Sequence, residues 1–253
     1  MAVRIDLNCD LGEEYDAWAT GVDGLDTQLL GIVTSANVAC GFHAGDERIM
    51  AAVCRAGARR GVAVGAHVSY LDRENFGRRF VDVPADVLRA QVAQQIATLQ
   101  AIARAAGTTV AYVKPHGALY NAVVHHEAQA SAVVAAIDDL PVLGSPGSAV
   151  LELATAKGLR AVTEAFADRG YRADGTLVPR SEPGALVTDA DEVAARVVRM
   201  ADEGMVRAVD GTDVRVVAES VCVHSDTPGA VVLARRVRAA LLERGVAVQR
   251  FVG

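Results

Sequence analysis

Along the 253-residue chain, apolar positions follow two alternating rhythms. Stretches spaced by three and four residues give way to short, continuous apolar runs. Between Pro84 and Gly107, the residues Leu88, Val92, Ile96, Leu99 and Ala103 share one face of a helix. Repeatedly, a helical stretch ends at a glycine and a strand follows. Gly61 precedes VAVGAHV, Gly107 precedes TTVAYVK, Gly158 precedes LRAVTEAF and Gly245 precedes VAVQRFV. Glycine just past a helix adopts the left-handed conformation that a β-carbon opposes, so this is the α-to-β turn of a repeating βα unit. Asp46, Ser148 and Thr227 stand at expected N-cap positions, and Pro228 suits a first helical turn.

Seven strands are predicted, at residues 3–8, 33–38, 62–67, 110–114, 141–144, 160–165 and 216–223. They are rich in Val and Ala and continuous rather than alternating, as in a parallel sheet covered on both faces. The expected fold class is α/β: a closed or nearly closed, distorted TIM-like (β/α) barrel of about seven strands. No Pro/Ser-rich linker divides the chain, so residues 1–253 are expected to form a single barrel domain. An open doubly wound sheet is the alternative, but no glycine-rich phosphate fingerprint follows the first strand. Residues 170–189 form the one long irregular stretch, and such loops in compact domains tend to be functional.

Composition narrows the function classes. Hydrophobic residues make up 51% and aromatics 4%, enough for a large core of small side chains. The formal charge of −6 comes without any basic tract, which argues against a nucleic-acid partner. No apolar run approaches the roughly 18 residues of a membrane span, and the start lacks the layout of a secretion signal. A cytoplasmic protein with no membrane partner is expected. Cys9, Cys40, Cys54 and Cys222 are far apart and read as reduced, buried thiols.

Polar residues interrupt the apolar text at strand ends. The first strand leads to Asn8, Asp10 and Glu13, the second to Asn37, His43 and Asp46, and the third to His67. The fourth delivers Lys114, His116, Tyr120 and Asn121; the sixth delivers Glu164, then Asp168 and Arg169; the last delivers His224 and Asp226. In a β/α barrel these ends converge on one mouth, where sites form. Solvated loops would explain one or two such residues but not four of the six histidines; His125 and His126 read as surface residues. Lys114 closes a buried run just before Pro115, and an unpaired ammonium there is costly, so a negative partner is expected. Three chemistries fit. Asp10, His43 and His67 could hold a divalent metal, although no HExxH or HxH spacing occurs. Lys114 could act as a Schiff-base nucleophile. Alternatively, Lys114 could fix a phosphate or carboxylate while imidazoles and carboxylates move protons.

The segments DLNCDLGE, TSANVACGFHAGD, GAHVSYLDRENFGRR, VKPHGALYN, EAFADRGY, LVPR and VCVHSDTPGAV resemble, in order, the successive motifs of the LamB/YcsF family. The likeness spans essentially the whole chain. It implies a distorted barrel of the glycoside hydrolase/deacetylase type. It also implies the role of the A subunit of an ATP-dependent 5-oxoprolinase, converting 5-oxo-L-proline, ATP and water to L-glutamate, ADP and phosphate beside separate B and C subunits. In that setting Lys114 would bind phosphate or a developing oxyanion. His43, His67, His116 and His224 would carry protons or ligate a metal (Mg or Zn), oriented by Asp10, Glu13, Asp46, Glu164 and Asp226. Arg180 or Arg79 would clamp a carboxylate, and Asn8, Asn37, Tyr120 and Asn121 would contact substrate or phosphate. ATP would be a co-substrate, yet the chain has no GxxxxGK[ST] motif, which points to the partners for part of its handling. The alternatives are a stand-alone metal-dependent deacetylase or amidohydrolase, or a non-catalytic substrate-binding component of a larger complex. Val68, Asn75 and Ser225 depart from the family's usual Pro, Gly and Gly.

Overall fold

The computed structural model describes residues 3–14, 18 and 23–253. Its elements run β1 (Arg4–Leu11), α1 (Leu25–Leu29), β2 (Ser35–Ala39), α2 (Glu47–Arg60), β3 (Ala63–Val68), α3 (Ala85–Ala105), β4 (Val110–Pro115), α4 (Gly117–His125), α5 (Glu127–Ala135) and β5 (Val142–Gly144). They continue with α6 (Ala149–Ala156), β6 (Ala161–Phe166), α7 (Ala190–Glu203), β7 (Met205–Arg207), β8 (Asp213–Arg215), β9 (Ser220–Cys222), α8 (Ala230–Glu243) and β10 (Ala247–Val248). Strands β1, β2, β3, β4, β5, β6 and β9 pair in parallel, and β9 pairs back onto β1, so seven strands close a barrel. The open-sheet alternative is thereby excluded. β10 lies beside the beginning of β1. The β7–β8 pair is an antiparallel hairpin outside the ring that the sequence pattern does not announce, since each strand has only three residues.

Local chemistry sets the elements. Asp46 Oδ1 accepts from the Ile49 amide at 2.7 Å to open α2, and Gly61 at φ +68° ends it. The expected face of α3 is buried, together with Gln95. That glutamine clamps Ser69 just beyond β3, donating to its carbonyl at 2.9 Å and accepting from its amide at 3.0 Å. Thr227 does not cap α8. Gly229 takes that position, and the Thr227 hydroxyl turns inward to donate to Asp168 instead.

The outward faces of the strands bury Leu7, Leu11, Val38, Val64, Val113 and Val221 beneath residues such as Val53, Leu88, Leu99, Val197 and Leu233 of the surrounding helices. The barrel interior is built differently. Its floor packs Ala63, Tyr112, Leu143 and Val162 against Phe251. Gly65 makes room for the Tyr112 ring: a β-carbon there would lie 2.2 Å from it. Above the floor the lining turns polar. Asp6 accepts from the hydroxyls of Ser35 (2.6 Å), Thr34 (2.7 Å) and Ser220. Asn8 donates to Glu164 at 2.9 Å, Asn37 donates to Asn8 and Asp10, and the Tyr112 hydroxyl donates to Asn37 at 2.6 Å.

Two stability effects follow. Gly65→Ala forces the Tyr112 ring to move and is expected to cost about 1–3 kcal/mol, read as a lowered denaturation midpoint. Burial raises the Asp6 carboxyl from 3.8 to about 6, outweighing its hydroxyl partners. A raised folded-state value favours the protonated form, so the Asp6 contribution is fully present below 3.8 and is lost as pH rises through about 6. That difference corresponds to roughly 3 kcal/mol. Asp6→Asn should remove that part of the slope in stability between pH 4 and 7; equal slopes in the two proteins would contradict it.

Candidate functional site

The C-terminal ends of the strands surround a cavity of about 500 Å³. Lys114, only 2% exposed, reaches into it from the end of β4. Its ammonium lies 3.0 Å from Asp10 Oδ1, 2.9 Å from Glu164 Oε1 and 3.4 Å from Cys222 Sγ. The Phe166 ring centroid is 5.5 Å away, within cation–π range. The negative partner expected from the sequence is therefore a pair of carboxylates from β1 and β6. Burial alone would lower the lysine's pKa, but Asp10, Cys222 and Glu164 hold it well above the usual value. Burial likewise opposes ionisation of Asp10, yet His67 and Lys114 hold its carboxyl well below the usual range. A lysine kept charged in this way is a fixed cation; a Schiff-base nucleophile needs the neutral amine.

Beside the lysine, Glu13, His43, His67 and His116 converge. Glu13 Oε1 lies 3.0 Å from His43 Nε2 and 3.3 Å from His116 Nδ1, and His67 Nε2 lies 2.9 Å from His116 Nδ1. Burial and the neighbouring Asp10 push Glu13 up to about 8. Burial and adjacent imidazoles push His43 and His116 well below their usual value. The rings are placed by their other nitrogens. His43 Nδ1 meets Ser69 Oγ at 3.0 Å, His67 Nδ1 meets the Lys114 carbonyl at 3.2 Å, and His116 Nε2 meets the Phe76 carbonyl at 2.9 Å. Gly77, at φ +63°, lets the loop close over this group, because a β-carbon there would lie 2.9 Å from both His116 and His43. Gly117 packs on the Gly77 carbonyl in the same way, so its small size serves loop closure.

On the opposite wall His224 stacks on Phe166 with centroids 5.2 Å apart, and its Nδ1 is 2.9 Å from Asp168 Oδ1. Asp226 is held by Arg180 at 3.1 and 3.3 Å and also accepts from Arg78. Residues 176–180 of the irregular stretch line this side. Arg169 fixes that stretch, donating to the carbonyls of Val178 (2.6 Å) and Ala185 (3.1 Å).

Asp10, Glu13, His67, Lys114, His116, Tyr120, Asn121, Arg180, His224 and Asp226 all line the cavity. Asn8, Asn37, Glu164 and His43 lie directly behind that lining and position it through the contacts above. Asp46 caps α2 and Arg79 is exposed; neither lines the cavity, and the neighbouring Arg78 meets Asp226 instead. Arg169, delivered by the sixth strand, lines it too, as do residues not expected there, among them Arg78, Phe166 and His125. Val68, Asn75 and Ser225 are not among the lining residues. Two groups have metal-ligating composition and spacing. One is Glu13, His43, His67 and His116; the other is Asp10, Cys222 and His224. The expected trio of Asp10, His43 and His67 is thus divided between them.

A closed parallel barrel whose mouth gathers imidazoles, carboxylates and a buried ammonium defines an α/β barrel of the TIM-like class. A T48 deacetylase solved with substrate shares the fold, with a TM-score of 0.51 over 98% of this chain and 87% of that one, at 12% identity. The chain belongs to the LamB/YcsF family, whose profile matches residues 5–253. A Streptomyces coelicolor relative, named as the A subunit of 5-oxoprolinase, is 58% identical over 251 residues, covering 98% of this chain and 99% of its own. The crystal structure of a lactam utilization protein from Thermus thermophilus superposes with a TM-score of 0.89 at 42% identity, over 98% of this chain and all of that one. Among the described residues, no helix is long and apolar enough to cross a membrane.

Asp168 receives the Thr227 hydroxyl and the His224 amide as well as the imidazole. Burial raises its pKa, but His224 and Thr227 outweigh that and hold the carboxyl below its usual 3.8. Its stabilisation is therefore present above 3.8 and is lost as pH falls through the depressed folded value. Asp168→Asn is expected to cost about 1–3 kcal/mol in urea denaturation at pH 7, with the difference shrinking below pH 4.

Proposed function

We propose that this chain is the A subunit of an ATP-dependent 5-oxoprolinase, opening 5-oxo-L-proline to L-glutamate as ATP becomes ADP and phosphate, in a complex with B and C subunits. The observation that carries this reading is a charged Lys114 between two carboxylates at the foot of a cavity whose walls offer imidazoles and arginines. The choice of substrate follows relatives that bear the 5-oxoprolinase name over the full length of the chain.

A five-membered lactam resists hydrolysis because its amide is resonance-stabilised and ring closure is entropically favoured. Transfer of a phosphoryl group from ATP to the lactam oxygen makes the ring carbon electrophilic. Water adds to that carbon, the ring C–N bond breaks as the nitrogen gains a proton, and a second water releases phosphate. Lys114 suits the developing negative charge on oxygen or phosphate, because a preorganised cation away from bulk water costs no reorganisation. His224, fixed by Asp168, and His116, fixed by the Phe76 carbonyl, line the cavity and are placed to pass protons to or from the substrate. Arg180, whose paired nitrogens already grip the Asp226 carboxylate, has the geometry to take a substrate carboxylate in the same way. The chain has no Walker-type phosphate loop, so ATP is handled in part by the partner proteins. The second reading, a stand-alone metal-dependent amidohydrolase, draws on the Glu13, His43, His67 and His116 group.

The test is glutamate release from 5-oxoproline by the purified components. Release is expected only when ATP and all three proteins are present; release by this chain alone, without ATP, would establish the second reading instead. Lys114→Met should lower turnover of the complex by about 10²–10³-fold or more, and Lys114→Arg should recover part of it. Full activity of the Met variant would remove Lys114 from the mechanism. Because that variant strands Asp10 and Glu164, it should be assayed well below its lowered melting temperature.

A further inference from the structure

Two contacts determine where His67 and His116 carry their hydrogens. His67 Nδ1 faces the Lys114 carbonyl and His116 Nε2 faces the Phe76 carbonyl. A carbonyl oxygen only accepts, so each of these ring nitrogens is the protonated one. In the neutral rings, His67 Nε2 and His116 Nδ1 are then bare lone pairs, and they lie 2.9 Å apart. Glu13 Oε1 supplies a third donor atom for a cation, 3.3 Å from His116 Nδ1 and 3.9 Å from His67 Nε2, releasing the proton that burial favours on it when the cation binds. Acceptors crowded this closely in a buried site repel one another unless a cation stands among them. Bonds of about 2.0–2.1 Å to a tetrahedral ion put its donors roughly 3.3 Å apart, and the observed separations lie on both sides of that value.

We propose that Glu13, His67 and His116 together hold one divalent transition-metal ion at the cavity wall, leaving a coordination position for an oxygen ligand entering from the cavity. All three residues line the cavity. Three protein donors with an open position is the composition of reactive rather than structural sites. Two imidazoles with one carboxylate favour zinc, iron, cobalt or nickel over magnesium, whose usual donors are all oxygen. The two carbonyl contacts are the outer hydrogen bonds that fix the tautomer of metal-ligating histidines.

The neighbours have other tasks. His43 is stacked parallel to His116, 3.7 Å between centroids at 8°, so an ion in the plane of one ring lies outside the plane of the other. His43 instead orients Glu13 through its 3.0 Å contact. Asp10 approaches His67 Nε2 at 3.4 Å but is closer to the Lys114 ammonium, which claims it.

The experiment measures metal on the isolated full-length chain. Mass spectrometry should find about one transition-metal ion per chain after purification without chelators. Stripped protein titrated with Zn²⁺ should bind one ion, and with Co²⁺ should develop visible ligand-field absorption. Glu13→Gln and His116→Gln should each weaken binding by more than the about 10- to 100-fold typical of outer-shell partners. His126→Gln, an exposed histidine outside the group, should bind as the wild type does. A folded wild type with no Co²⁺ absorption would overturn the proposal, leaving a shared proton between the rings; that result needs no variant to fold. Wild-type affinity in both variants, or affinity for Mg²⁺ alone, would overturn it equally. Metal binding here is independent of the lactam reading. Metal retained without ATP-linked glutamate release would sink that reading alone, and ATP-linked release by a wild type that binds no transition-metal ion would sink this one alone.

Discussion

The ammonium of Lys114, suspended between Asp10 and Glu164, is the contact on which the interior of this barrel depends. Barrels of this kind usually fill their centre with branched apolar side chains. Here the layer above the floor is polar, and three ionisable groups from β1, β4 and β6 meet there. Ions taken out of water are costly unless every remaining lone pair finds a donor. Asn8 and Asn37 meet part of that need, bonding Glu164 and Asp10, while the Tyr112 hydroxyl in turn holds Asn37. The charges are thus tied to the closure of the ring. Asp10 is correctly placed only when β1 meets β2, and Glu164 only when β6 and β9 return to β1.

The two sides of the mouth are held by different means. On the Glu13 side, imidazoles are set by backbone carbonyls and by Ser69, which Gln95 of α3 clamps from outside the barrel. Here placement comes from backbone carbonyls and from one glutamine of α3. On the Asp226 side, placement comes from loops: Arg169 holds the Val178 and Ala185 carbonyls, and Arg180 and Arg78 converge on one carboxylate. A wall held by carbonyl and amide hydrogen bonds therefore faces a wall held in part by ion pairs.

Much of this is legible in the sequence, for identifiable reasons. The α3 face, the glycine stops and the seven ring strands follow from periodicities that the barrel preserves. The first strand, expected to end at Asn8, runs instead to Leu11. Polar Asp10 looks like a terminator until Lys114, distant in sequence, supplies its partner. Asp46 has the residue type of a site, but a local hydrogen bond claims it as a helix cap. The choice of Arg78 over Arg79 turns on a loop's backbone direction, which no residue pattern encodes. His224 is expected at the rim, whereas its partnership with Asp168, 56 positions earlier, arises only when β6 and β9 pair.

The floor formed by Ala63, Tyr112, Leu143, Val162 and Phe251 makes the barrel a vessel with a sealed base. Among the described residues the way to Lys114 leads over the rim, so whatever arrives there and whatever leaves share one doorway. In the complex proposed above, a partner that passes a reactive intermediate to this chain would have to dock over that doorway, and while docked it would also govern when the product leaves.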